Sequence, residues 1–338
     1  MQVVFFHFGA GYAQRHDLPK PITNLVTNGW TAVTLFFILS GFILSYIYSG
    51  QIAQPGGKLR FWEARFARIY PVYILALLLS WPFKGHPGLG LSIAVFTMVQ
   101  AWNPFHLTYG GAWNSPAWTL STEAFFYLLF PFFLLLFERY SVRILRYLAV
   151  AAVLVIVLGH TMTPTIDPLT RVTGLPLPVF RFPEFLLGMA LGLIFLRNPR
   201  QRSRSPLSFA AILAIFVILG FVKGPWLSLL AVPLSVLIYE LAAADTLLSR
   251  LLGSKPLLLL GGASYAIYLL QEPVRSWMHF ATTGSTDLRT AKSGIDTFLS
   301  PIVLIGFSIA VFLFWEEPMR KWLRAWFKRH TATRLPAS

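Results

Sequence analysis

The chain has 338 residues, of which 56 % are hydrophobic and only 12 % are charged, and its mean hydropathy of +0.63 predicts a polytopic membrane protein. The formal net charge of +15 comes from basic residues that lie between apolar stretches, a distribution that indicates membrane topology and excludes nucleic acid as a partner. Cysteine is absent, which excludes disulfides, thiolate nucleophiles and cysteine-ligated metals.

Ten apolar stretches are predicted to cross the bilayer as helices, because about 20 helical residues span a hydrocarbon core of roughly 30 Å. The first of them, 1–12, is short. The other nine are 29–50, 66–82, 117–137, 144–160, 178–196, 207–223, 226–243, 257–280 and 296–316. The sequence therefore predicts an all-α integral membrane protein with about ten transmembrane helices in a single domain, 1–338.

The stretch 89–101 is long enough only for a partial crossing. If it does not cross, most Lys and Arg residues fall on one side of the membrane, which the positive-inside rule identifies as cytoplasmic. Both termini then lie in the cytoplasm, and 83–116 is an external segment with a re-entrant or interfacial piece. The basic cytoplasmic tail, 317–338, either anchors the topology or lies as an interfacial helix on the anionic inner leaflet.

Ionisable side chains inside apolar spans are costly and therefore mark candidate functional sites. His7 is flanked by apolar residues, and its imidazole suits general base catalysis, although a packed, hydrogen-bonded histidine is the structural alternative. Arg65 and Arg68 are three residues apart, so on a helix they share one face. Paired guanidinium groups there can bind a phosphorylated ligand, with membrane anchoring as the alternative.

Glu123 lies at the start of a predicted span, after an unusual density of polar residues that favours a substrate entrance. These polar residues are Asn114, Ser115, Thr119, Ser121 and Thr122. The nucleophile elbow G-x-S-x-G, the Walker A loop, H-E-x-x-H and H-x4-D are all absent from the sequence. Because the seven histidines have no metal-binding spacing, no metal site and no tightly bound cofactor are predicted.

Six stretches, in the same order along the chain, resemble the signatures of the membrane acyltransferase 3 family. They are VTLFFILSGFILS (33–45), RFARIYP (65–71), WNSPAWTLSTEAFFYLLFP (113–131), FRFPEFLLGMALG (180–192), GGASYAIYLLQEPV (261–274) and FWEEPMRKWL (314–323). The resemblance implies a ten-helix O-acyltransferase of the bacterial cytoplasmic membrane. Such an enzyme moves an acyl group, often acetyl, from cytoplasmic acyl-CoA to a hydroxyl of a surface or lipid-linked carbohydrate.

The resemblance also implies roles for particular residues. His7 matches the catalytic histidine of the family's R-x10-H pattern, and Arg65 and Arg68 match the R-x-x-R pattern linked with the acyl-CoA donor. Glu123 is assigned to the catalytic site with His7. The residues assigned to substrate binding are Asn114, Trp118 and Ser40. The expected partners are the lipid bilayer, acyl-CoA as a donor substrate and a carbohydrate acceptor.

Two features depart from the family pattern. Gln271 stands where members often have His, and the Arg of R-x10-H would precede Met1. Residues 1–12 span only about 18 Å as a helix, so the first helix is predicted to be N-terminally truncated. Either the start codon is assigned too far downstream, or the truncation is natural and impairs function.

Two other kinds of protein remain as alternatives. A glycolipid transporter or flippase would also use ionisable residues in its spans and a polar external cluster. The combination of His7 with Arg65 and Arg68 favours acyl transfer instead, and no internal symmetry of the transporter kind is visible in the sequence. A purely structural membrane protein is favoured only if the truncated start is real.

Overall fold

The computed structural model of the chain describes residues 2–16, 18–85, 88–103, 111–162, 175–198, 207–243, 247–286 and 294–332. Within these ranges all regular elements are helices, which confirms the predicted all-α class. The fourteen α-helices are α1 (Gln2–Arg15), α2 (Lys20–Thr27), α3 (Ala32–Tyr48), α4 (Gly57–Lys84), α5 (Leu89–Phe96), α6 (Ala117–Phe137), α7 (Val142–Met162), α8 (Leu177–Arg197), α9 (Leu207–Phe221), α10 (Ala231–Ala243), α11 (Leu247–Leu252), α12 (Lys255–Thr283), α13 (Gly294–Val311) and α14 (Glu317–Ala332).

Eight helical segments in the described part of the chain are long and apolar enough to cross a membrane. They are Lys20–Tyr48, Gly57–Lys84, Ala117–Phe137, Val142–Met162, Leu177–Arg197, Gly224–Ala243, Lys255–Thr283 and Leu299–His330. The two other predicted crossings, 1–12 and 207–223, correspond to α1 and α9, which have 14 and 15 residues. The positions of the termini relative to the membrane stay a prediction.

Glycines bring α3 and α8 unusually close together. A Cβ atom added to Gly188 would lie 1.9 Å from the carbonyl oxygen of Ile38, and one added to Gly41 would lie 2.1 Å from that of Phe185. Without side chains at these positions, the two backbones touch directly, as small residues allow in membrane helix pairs. The signatures 33–45 and 180–192 therefore form one packed helix pair.

A buried ion pair lies beside this contact. Arg181 Nη2 is 3.0 Å from Glu184 Oε2 on the next turn of α8. Thr34 of α3 connects the two, because its hydroxyl donates to Glu184 Oε1 at 3.1 Å and accepts from Arg181 Nη2 at 3.1 Å. Both charges are almost fully buried, so each compensates the other in the apolar interior.

The predicted partial crossing forms the short helix α5. Eight residues extend about 12 Å, which is too short to cross the bilayer. Its last turn is tied to α4, since the Tyr73 hydroxyl donates to Val95 O at 2.6 Å and the Tyr70 hydroxyl to Phe96 O at 3.2 Å. The membrane side on which 83–116 lies stays a prediction.

The basic tail is helical as far as Ala332. A π-helical segment, Phe312–Glu316, joins α13 to α14, and such segments often occur at functional sites. The tail helix runs against α4, where the rings of Phe327 and Phe66 meet edge to face at 6.3 Å.

Candidate active site

A cavity of about 310 Å³ lies between α3, α4, α6 and α12. Its walls combine apolar side chains with hydroxyl groups, a carboxyl group and two guanidinium groups. The polar lining residues are Ser40, Arg65, Arg68, Thr119, Glu123, Ser264, Tyr265 and Tyr268. These residues come from four signatures that are far apart in the sequence. The structure therefore brings four of the predicted site residues, Ser40, Arg65, Arg68 and Glu123, to one cavity.

The two arginines are held in different ways. Arg68 Nη1 is 3.0 Å from the carboxylate of Glu316, which is fully buried in the π-helical segment. Arg65 donates from Nη2 to the Tyr48 hydroxyl at 3.3 Å, and its guanidinium carbon lies 5.6 Å from the Tyr48 ring centre. Arg65 has no ion-pair partner among the described residues. Arg65 is thus positioned by an aromatic side chain and not by an ion pair.

Glu123 and Tyr127 connect α6 to α3 across the cavity wall. The Tyr127 hydroxyl lies 3.4 Å from Ser40 Oγ on α3 and interacts with the Glu123 carboxylate. Glu123 also interacts electrostatically with Arg65 and Arg68. Tyr127 was not predicted as a site residue, although its position four residues after Glu123 places both on one face of α6.

His7 lies on α1, next to α12. Its carbonyl oxygen accepts a hydrogen bond from Arg275 Nη1 at 3.3 Å, and its imidazole packs edge to face against Phe6 at 5.0 Å. His7 is not among the described residues that line the cavity. Arg275 follows the lining residue Tyr268 by about 10 Å along α12, so His7 lies beyond the Tyr268 end of the cavity.

Asn114 and Trp118, predicted to bind substrate, also lie outside the described lining of the cavity. The Asn114 side chain is fully buried and donates from Nδ2 to Leu269 O on α12 at 2.9 Å. The Trp118 ring packs edge to face against Phe37, which itself lines the cavity. Both residues thus brace the cavity walls, and their roles in substrate binding stay predictions.

The neighbourhood of Asn114 is tied to α12 a second time. Glu272 accepts a hydrogen bond from the Ser115 backbone N–H and forms an ion pair with Lys84 of α4. Gln271, at the position where the family often has His, is buried on the same helix. These contacts join the end of α4 and the start of α6 to the second half of α12, away from the two arginines.

No group of three or more His, Asp or Glu side chains in the described ranges could hold a metal ion. The polar atoms of the cavity are hydroxyl, carboxylate and guanidinium groups. Such a set can bind anionic and hydroxyl-bearing ligands and can accept or donate protons. The prediction that the site uses no metal stays a prediction.

Comparison with known proteins identifies relatives along most of the chain. The acyltransferase 3 family (Acyl_transf_3, described as an acyltransferase domain) matches residues 1–317. The acyltransferase MdmB of Streptomyces mycarofaciens is 31 % identical over 282 residues, which cover 76 % of this chain and 71 % of the relative. No solved structure matches the chain.

Two further relatives are named for polysaccharides or for acetyl transfer to peptidoglycan. The peptidoglycan O-acetyltransferase OatA of Listeria monocytogenes is 29 % identical over 282 residues, covering 73 % of this chain but only 45 % of the relative. The exopolysaccharide production protein ExoZ of Rhizobium meliloti is 29 % identical over 319 residues, covering 88 % of this chain and 92 % of the relative. The chain, a multi-pass membrane protein, therefore belongs to the acyltransferase 3 family and is a transferase enzyme.

Proposed function

We propose that this protein is an O-acyltransferase that moves an acyl group from acyl-CoA to a hydroxyl of a carbohydrate, such as a surface polysaccharide or a lipid-linked glycan. The observation that carries the proposal is the meeting of Ser40, Arg65, Arg68 and Glu123 at one cavity. The names of OatA and ExoZ support a glycan acceptor. In this proposal the protein lies in the bacterial cytoplasmic membrane, with the arginine end of the cavity toward the cytoplasm.

Arg65 and Arg68 bind the phosphate groups of the donor. A guanidinium group recognises phosphate through two parallel hydrogen bonds, and Arg65 has no carboxylate partner among the described residues that would have to be displaced. The ion pair with Glu316 fixes Arg68. A cavity of about 310 Å³ admits the acyl end of the donor and part of its pantetheine arm, so the nucleotide stays outside.

In the chemical step the acyl group passes from the sulfur of CoA to the hydroxyl oxygen of the acceptor. The acceptor hydroxyl oxygen forms a bond to the thioester carbonyl carbon, the carbon–sulfur bond breaks, and CoA leaves as a thiol after receiving the proton of the hydroxyl. His7 acts as the base that takes this proton and returns it to the sulfur, either in a direct transfer or through an acylated intermediate. A thioester is already activated, so positioning and proton transfer suffice.

The reaction then takes place at the Tyr268 end of the cavity, where α12 leads toward Arg275 and His7. Glu123, one helical turn before Tyr127 on α6, binds and orients an acceptor hydroxyl. A carboxylate is a strong acceptor for the hydroxyl groups that carbohydrates carry. The acceptor enters at the end of the cavity near Asn114 and Trp118, whose side chains brace its walls.

The test is transfer of radiolabelled acetyl from acetyl-CoA to envelope glycans by the reconstituted protein. Replacing a general base typically costs 10²- to 10⁴-fold in rate, so His7→Ala is expected to lose transfer by about 100-fold or more. The matched control is His16→Ala, because His16 is an exposed histidine at the end of the same helix. Full transfer by His7→Ala, or no label from folded wild-type protein, would contradict the proposal.

A further inference from the structure

A second cavity, of about 460 Å³, lies between α4, α5 and α6. Its walls are formed almost entirely by apolar and aromatic side chains. They include Trp62, Phe66, Ile69, Phe96, Met98 and Leu128. A cavity of this size and character binds an apolar ligand group.

The second cavity meets the first at one shared wall. Arg65 lines both cavities. On α6, Glu123 lines the first cavity, and the next residue, Ala124, lines the second. Tyr127 also lines the second cavity, and its hydroxyl interacts with Glu123. The polar groups of the proposed reaction site therefore stand at the inner end of an apolar chamber.

The outer end of the chamber is apolar. Phe66 and Leu128 line it and are 45 % and 48 % exposed on the surface of helices that are long enough to span a membrane. Thr97 also lines the chamber, but its hydroxyl donates to Ile93 O of its own helix at 2.7 Å. Arg65 and the Tyr127 hydroxyl, at the inner end of the chamber, are polar groups that a ligand with an apolar chain would meet there.

The wall formed by α5 is held in place but keeps an adaptable surface. The Tyr70 and Tyr73 hydroxyls of α4 fix the carbonyl groups of Phe96 and Val95. Met98, just after the helix, has a positive φ of 59°, a conformation that non-glycine residues adopt rarely and that is enriched at ligand sites. Its flexible thioether side chain can adjust to hydrocarbon groups of different length.

We propose that the second cavity binds the hydrocarbon chain of a fatty-acyl donor, so that this enzyme transfers acyl groups longer than acetyl. The inference rests on the proposed function. The acyl carbonyl lies beside Glu123, where the acceptor hydroxyl is oriented, and the chain extends past Ala124 and Tyr127 between α4 and α6 toward Phe66 and Leu128. Ala124 sets the width of the passage, because its methyl group leaves the space that a larger side chain would fill.

The experiment compares labelled acetyl-CoA and octanoyl-CoA as donors for the reconstituted protein. Wild-type protein is expected to transfer octanoyl at least as fast as acetyl, and Ala124→Phe is expected to lower the octanoyl-to-acetyl rate ratio at least tenfold. Ala151→Phe is the matched control, because Ala151 is exposed on α7, and its ratio is expected to equal that of wild type.

A second measurement does not depend on transfer. Octanoyl-CoA with a diazirine at the end of the chain is photolysed with wild-type protein in phosphatidylcholine vesicles, and the labelled peptides are identified by mass spectrometry. We expect label in the segments that contain Phe66 and Leu128, and at least tenfold less label in Ala124→Phe than in Ala151→Phe.

The outcomes separate this inference from the proposed function. Transfer of acetyl but not octanoyl, with no label at Phe66 or Leu128, would overturn the inference and leave acyl transfer intact. Label at these residues without transfer of any acyl group would support binding of the hydrocarbon chain in the second cavity and overturn the proposed function. A diazirine-bearing phosphatidylcholine that labels the cavity while octanoyl-CoA does not would mean that a membrane lipid occupies it, which would also overturn the inference.

Discussion

Replacing Gly188 by alanine should separate α3 from α8 and distort the wall of the first cavity. The added Cβ would lie 1.9 Å from Ile38 O, 2.8 Å from Ile38 C and 2.9 Å from Phe42 N, all backbone atoms of α3. Ordinary contacts begin at 3.4 Å, so the helices must move apart by about 1.5 Å at this point. Overpacking of a close-packed interior typically costs about 1–3 kcal/mol, and we expect a loss of stability at the upper end of this range.

The displacement acts on the site because Phe37 and Ser40 of α3 line the cavity. The assay is thermal unfolding of the detergent-solubilised protein, followed by size-exclusion chromatography, together with acyl transfer. Gly261→Ala is the matched control, because a Cβ there meets nothing within 4 Å and alanine favours the helix by up to about 1 kcal/mol. If Gly188→Ala were as stable and active as Gly261→Ala, the close contact between α3 and α8 would be refuted.

Two further predictions concern ion pairs that contain a buried carboxylate. Glu316→Gln should raise the KM for acyl-CoA about tenfold, equivalent to about 1.4 kcal/mol, and should change kcat less. The reason is that the substitution releases Arg68 from a contact of 3.0 Å with the Glu316 carboxylate. An unchanged KM in steady-state kinetics would argue against this role of Glu316. Arg181→Met should destabilise the protein by about 3–5 kcal/mol because it leaves Glu184 buried and unpaired, whereas the double variant Arg181→Met/Glu184→Leu should recover most of that loss. A double variant less stable than Arg181→Met in thermal unfolding would contradict the second prediction.

Much of the helical architecture could be predicted from the sequence, because apolar length is a local property. The stretch 117–137, for instance, coincides with α6. The spacing of Arg65 and Arg68 likewise fixed their common face on α4, and both line the same cavity. Local patterns did not predict the bounds of every helix: the stretch 296–316 continues through a π-helical segment into α14, which extends to Ala332.

The contacts between helices could not be read in the same way. The pairing of Glu316 with Arg68 joins residues that are far apart in the chain, and no local pattern specifies such a partner. In the sequence Tyr127 is one of many aromatic residues in an apolar helix. Its contact with Ser40 links α6 to α3, and this contact is known only from the structure. The second cavity depends on how α5 folds back on α4, which short apolar segments do not encode.

The most direct test of the account compares Glu123→Gln with Glu138→Gln in transfer of labelled acetyl from acetyl-CoA to envelope glycans. Glu123 lines the cavity, whereas Glu138 lies at the end of the same helix and accepts hydrogen bonds from Ser49 and Gly50 outside it. We expect Glu123→Gln to lose about 100-fold in transfer rate, because the acceptor hydroxyl is no longer held in place, and Glu138→Gln to keep the wild-type rate. Equal transfer by the two variants, with both proteins folded, would contradict the claim that this cavity is the site of acyl transfer.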